Sequence, residues 1–86
     1  MNKFLHTSFS SLGQFLDYLP DDEREVVLFL RDVIFRMAPL AKETLSYNVP
    51  FYSLNKRFCF IWPASVPWGG IEQGVALGFT MGEYSR

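Results

Sequence analysis

The apolar residues of this chain change their period once. Leu12, Phe15, Leu16 and Leu19 recur at helical spacing, as do Val26, Val27, Leu30, Val33, Ile34 and Met37. From Thr44 onward the period is two: Leu45, Tyr47 and Val49 alternate with Thr44, Ser46 and Asn48, and Val75, Leu77, Phe79 and Met81 alternate with Ala76, Gly78 and Thr80. The first pattern is one face of a helix and the second one face of a strand. Helices first and strands after give an α+β domain: two N-terminal helices on an antiparallel sheet of at least three strands. With 86 residues, the expectation is one domain over 1–86.

Element boundaries follow from capping chemistry. Ser11 and Gln14 fit a capping box, in which the serine accepts from the backbone at Gln14 and the glutamine side chain reaches back. Pro20 ends the first helix and opens a second over about 20–37, which Pro39 stops. Asp21, Asp22, Glu23 and Glu25 crowd the start of that helix, where carboxylates offset the positive end of its dipole. Leu28 and Phe35 lie off its broad apolar face and form a narrow second seam that something should cover. Asn55-Lys56 reads as a two-residue hairpin turn, since Asn tolerates positive φ. It sets Ser53 opposite Phe58 and Phe51 opposite Phe60, so Phe51, Phe58, Phe60 and Trp62 share one face, and Tyr52, Leu54, Cys59 and Ile61 the other. Both faces are largely apolar, so the sheet should be covered at least in part on both sides. Residues 66–73 read as a loop, broken by Pro67 and Gly69-Gly70.

Composition narrows the function classes. Apolar residues make up 49% of the chain and charged residues 20%, which fits a globular fold. A formal net charge of −1 without a basic stripe argues against phosphate tracking, so no nucleic acid is expected. No apolar run has the length of a membrane span. The first residues, broken early by His6, Thr7 and Ser8, do not read as a signal peptide, so a cytoplasmic location is expected. The lone cysteine excludes an intrachain disulfide and suits a reducing compartment.

Each candidate site competes with an ordinary structural role. Glu43, Tyr47, Trp62 and Trp68 combine an acid with aromatic walls, as small-molecule pockets do. The same rings would also fill a small sheet core. Asp17, Asp21, Asp22 and Glu25 offer hard oxygen ligands for iron, although helix-start electrostatics explains them more simply. Leu28, Phe35, Tyr52, Leu54 and Ile61 form a candidate interface between copies, a homodimer being the simplest arrangement. Cys59, between two phenylalanines, reads as a small core hydrophobe. No nucleophile–base pair is legible, so no enzyme activity is expected. The leading expectation is a non-enzymatic binding domain for an unknown small molecule, with no cofactor. The alternatives are an iron-binding protein and a homo-oligomeric interaction module.

One resemblance adds to this. The ordered set Leu19-Pro20, Ala38-Pro39, Glu43, Leu45-Ser46-Tyr47 and Pro50 resembles the signature of the YdhG-like domain family, over about 15–81. The resemblance implies helices packed on an antiparallel sheet. It also implies a domain of unknown function, some relatives of which are described as frataxin-like intracellular iron chaperones. It points to Glu43, Tyr47 and Pro50 as a functional strand edge. Family members continue into one or two C-terminal helices, whereas this chain stops at Arg86. The expectation is therefore either a shortened form or cover from a second copy.

Overall fold

A computed structural model describes residues 8–80. Helix α1 (Leu12–Tyr18) and helix α2 (Asp21–Met37) precede strands β1 (Lys42–Ser46), β2 (Val49–Ser53), β3 (Arg57–Pro63) and β4 (Val75–Phe79). The strands form one antiparallel sheet in the order β1-β2-β3-β4, with the helices packed on it. Met81, expected at the end of the last strand, lies outside the described residues.

The capping box closes with one variation. Ser11 Oγ accepts from Gln14 N at 3.2 Å, while Gln14 Oε1 accepts from Ser10 N at 2.9 Å, one residue before the cap. Pro20 caps α2, and three acids fill its first turn. Arg24 fastens the two helices together. Its Nε and Nη2 donate to the Leu16 and Leu19 carbonyls at 2.9 and 2.7 Å, the first of which also accepts from Leu19 N at 3.1 Å.

Register divides the sheet into two faces. Glu43 faces Tyr52, and Tyr52 faces Cys59; these point toward the helices, where Phe35 meets Tyr52 edge-on at 5.6 Å. Phe15, Leu19, Val27, Ile34, Tyr52, Cys59 and Ile61 are buried in this layer. Burying a side chain of that size contributes roughly 1.5–3 kcal/mol before entropy is counted. The other face carries Thr44, Phe51, Phe60 and Gly78 in one cross-strand row, with Trp62 opposite Ala76 in another.

Three expectations need correction. First, 44–49 is not a continuous strand. Tyr47 and Asn48 form a tight turn with φ of 55° and 67°, as a type I′ hairpin requires. Asn48 tolerates that conformation, and its Oδ1 accepts from Phe9 N at 2.9 Å. Second, the next hairpin closes Ser53 against Arg57 instead of Phe58, because the register shifts between Tyr52 and Ser53. Leu54 consequently lies in the loop and not on the sheet. Third, α2 buries a stripe of Glu23, Val27 and Ile34, flanked by Leu30 and Phe35, while Val26, Val33 and Met37 stay exposed.

Part of the expected interface is internal to the chain. Tyr52 and Ile61 are wholly buried beneath the chain's own helices, and Phe35 is packed on Tyr52. Leu28 and Leu54 remain exposed, on α2 and in the hairpin loop respectively. The face carrying Tyr52, Cys59 and Ile61 is thus covered from within the chain.

Candidate functional site

The site lies on the face away from the helices. Four aromatic side chains from four segments line a cleft of about 440 Å³: Tyr47 from the first hairpin turn, Phe51 from β2, Trp62 from β3, and Trp68 from residues 64–74. Tyr47 and Trp62 lie with ring planes 25° apart and centroids 6.3 Å apart. Phe51 tilts against Tyr47 at 6.0 Å and against Phe60 at 5.2 Å, and Phe60 meets Trp62 edge-on at 6.0 Å. Offset and edge-to-face pairs at such spacings are mutually favourable, so the rings hold one another in place.

Two glycines let these rings lie directly on backbone. A Cβ at Gly78 would collide with the Phe60 ring, and one at Gly69 with the Trp62 indole. Gly69 and Gly78 also border a second depression of about 330 Å³ that shares Trp62 and Trp68 with the cleft. The apolar floor is therefore longer than the cleft itself.

Loop 64–74 is held by a polar clasp. Glu23, nearly buried on α2, accepts from Ser65 N at 3.1 Å and from Ser65 Oγ at 3.0 Å. Tyr18 Oη donates to the Ser65 carbonyl at 2.8 Å, and Trp62 Nε1 donates to the Val66 carbonyl at 3.0 Å. Ala64 N donates to the Gly74 carbonyl at 2.8 Å and closes the loop's base. These bonds fix the segment from which Trp68 projects, 74% exposed and with φ at 86°. Tyr47 across the cleft is 72% exposed, also at positive φ. Non-glycine residues rarely adopt that region, and the strain costs about 1–3 kcal/mol each.

Of the expected ligand-binding residues, Tyr47, Trp62 and Trp68 come together, and Glu43 does not join them. The Glu43 carboxylate points under the helices. It accepts from Arg31 Nε and Nη2 at 2.7 and 3.0 Å and from Tyr52 Oη at 2.7 Å. Arg31 in turn lies 5.2 Å from the Phe35 ring centroid. Hydrogen bonding to Glu43 raises the Arg31 pKa, and burial, reinforced by Glu43, pushes the Tyr52 hydroxyl far above its usual range. This is a structural clasp between α2 and the sheet. Pro50 stands one step before the β2–β3 pairing begins at Phe51, so its missing N–H leaves no gap in that ladder.

The iron candidates are not brought together either. Asp21 pairs with Arg24 at 2.7 Å, Asp22 Oδ1 accepts from Glu23 N at 2.8 Å, and Asp17 and Glu25 are exposed. Among the described residues no group of three or more His, Cys, Asp or Glu side chains could hold a metal ion. His6 lies outside those residues. Cys59 is buried, and its burial pushes the thiol up to about 11, away from thiolate chemistry at neutral pH.

No protein-family model, curated protein or solved structure matches the chain.

Two residues in or beside the cleft are not singled out by the sequence pattern. Strand parity assigns Phe51 to the right face but not to the site. Arg57 has no such pointer at all, yet its guanidinium crosses Phe51 at 4.4 Å from the ring centroid and donates to Ser46 Oγ beside Tyr47. Among the described residues no helix is long and apolar enough to cross a membrane.

Proposed function

We propose that this domain binds a small, flat, largely apolar molecule in the cleft of Tyr47, Phe51, Trp62 and Trp68, without carrying out chemistry on it. The observation that carries this reading is the pair of exposed rings at the rim. Tyr47 and Trp68 stand 72% and 74% exposed on backbone at positive φ. Rings placed at the edges of an apolar cleft give a flat ligand walls for stacking. Tyr47 and Trp62, at 6.3 Å, are closer than the roughly 7–8 Å needed for a ring in contact with both faces. The ligand therefore lies along the cleft against Phe51 and Trp62, or moves Tyr47 outward on its turn.

The chain has two tryptophans, and both line the cleft, so their indole N–H signals in a nitrogen–proton correlation spectrum report on it directly. Titration with flat aromatic fragments is expected to move both signals saturably in the wild type and to lose that effect in Tyr47→Ala. Indole signals that stay still across a broad fragment set would count against the site.

Kinship with the YdhG-like family is a separate proposal, supported by the ordered residues from Leu19-Pro20 to Pro50 and by the order of helices and strands. The iron-chaperone activity of some members has less support here, since Asp21 and Asp22 are engaged locally and Asp17 and Glu25 stand exposed. For association between copies, Leu28 and Phe29 on α2 and Leu77 and Phe79 on β4 are exposed apolar candidates. Light scattering at high concentration tests it. A cytoplasmic location accords with the unpaired, buried Cys59.

A further inference from the structure

We infer that the ligand is a flat aromatic carboxylate, its rings in the aromatic cleft and its carboxylate on Arg57, an assignment that rests on the cleft being a binding site.

Arg57 begins β3, at the far end of the β2–β3 hairpin from the cleft. Its side chain runs back over the sheet. The guanidinium lies 4.4 Å from the centroid of Phe51, one wall of the cleft, and Nη2 donates to the hydroxyl of Ser46, the residue before Tyr47. The cation thus lies over one cleft wall and bonds the residue before another. Stacking on Phe51 holds the planar group by cation–π attraction and fixes its orientation.

Arg57 makes no ion pair with any described residue, although the arginines of α2 do: Arg24 with Asp21, Arg31 with Glu43, Arg36 with Asp32. One of its guanidinium N–H groups is directed to Ser46, and an arginine has five. An arginine's planar group has the donor fork that matches a carboxylate with two parallel bonds. Among the described residues no carboxylate lines the cleft, and Glu43 is turned to the opposite face against Arg31 and Tyr52. A cationic ligand would meet a like charge at the rim and no acid to answer it. A neutral aromatic would fill the walls but offer the guanidinium no charge. An aromatic acid satisfies both, and about 440 Å³ accommodates two fused rings with a short acid group.

The test compares three probes of one shape: 2-naphthoate, 2-naphthamide and 2-naphthylmethylammonium. Each is titrated into the wild-type chain, Arg57→Gln and Arg57→Lys, with the two indole signals as readout. The expected result is that the carboxylate binds the wild type about tenfold more tightly than the amide, a charge-assisted bond at a partly exposed site. The ammonium should bind weakest. Arg57→Gln should bring carboxylate and amide to near equality, and Arg57→Lys should keep part of the preference. If the amide matches the carboxylate in the wild type while both move the indoles, the acid assignment is overturned and the cleft stands. A preference that survives undiminished in Arg57→Gln overturns it equally. If none of the three probes moves the indoles, both readings fall.

Discussion

Arg31 and Glu43 meet in a two-pronged ion pair, at 2.7 and 3.0 Å, that ties α2 to the first strand of the sheet. Tyr52 completes it by donating to the same carboxylate at 2.7 Å. The pair lies between the helix layer and the sheet, with the Glu43 side chain 16% exposed. Removing one member leaves the other under-solvated and unpaired, which costs more than the intact pair contributes. Arg31 is partly open to water, which moderates the loss. Glu43→Ala is therefore expected to destabilise the fold by about 1–3 kcal/mol in urea unfolding. It should leave ligand binding in the cleft within about twofold, an order-of-magnitude expectation for a residue that does not touch the ligand. Lost binding with unchanged stability would place Glu43 back in the site.

The two buried groups with raised pKa values set an alkaline limit. Cys59 is shifted by burial to about 11 from its usual 9.0, and Tyr52 is shifted above its usual 10.0 by burial and Glu43. The folded chain thus keeps protons that the unfolded chain releases, so stability is complete below pH 9.0 and falls as the pH rises toward 11. For Cys59 the loss is about 2–3 kcal/mol across that window, and Tyr52 adds to it above pH 10.0. Cys59→Ala should flatten the earlier part of the decline in urea titrations across this range. Parallel curves for wild type and variant would refute the assignment.

The helix boundaries are legible in the sequence because their signals are local: Ser11 and Gln14 at one end, Pro20 between, Pro39 beyond. The last strand is legible from its alternation. Strand parity puts one member of the site on the wrong face, and the cause is the turn at Tyr47-Asn48. Leu45, Tyr47 and Val49 alternate as though one strand continued, and that parity places Glu43 beside Tyr47. The chain reverses there instead, setting Val49 opposite Ser46 and Leu45 opposite Pro50, and Tyr47 goes to the face away from the helices. Neither turn residue is glycine, so the usual hairpin cue is missing. Arg57 escapes a sequence reading because its position depends on a register shift after Tyr52 that no local pattern marks.

The clasp between Glu23 and Ser65 should matter to a ligand that neither residue touches. It holds the loop from which Trp68 projects, through bonds at 3.1 and 3.0 Å. Glu23→Ala removes both bonds and leaves Ser65 N without its acceptor, a loss of about 1–3 kcal/mol. Fragment affinity should fall several-fold with it, and the Trp68 indole signal should broaden more than that of Trp62. An unchanged affinity would show that the loop's position is fixed by other contacts.

Gly78 is expected to be intolerant of any side chain. The Phe60 ring lies where a Cβ would go, so Gly78→Ala must displace a ring that contacts Phe51 and Trp62. Overpacking of this kind costs about 1–3 kcal/mol. Thermal unfolding should show the loss, and the Trp62 indole signal should shift in the absence of ligand. A stable variant with an unmoved indole would mean that Phe60 has room to turn away.

Binding is assigned to the aromatic face turned away from the helices. The most direct measurement of that assignment is fragment titration followed through the two indole signals in three chains: wild type, Tyr47→Ala and Glu43→Gln. The expected result is saturable movement of both signals in the wild type and in Glu43→Gln, and none in Tyr47→Ala. Binding that survives Tyr47→Ala but disappears in folded Glu43→Gln would contradict it.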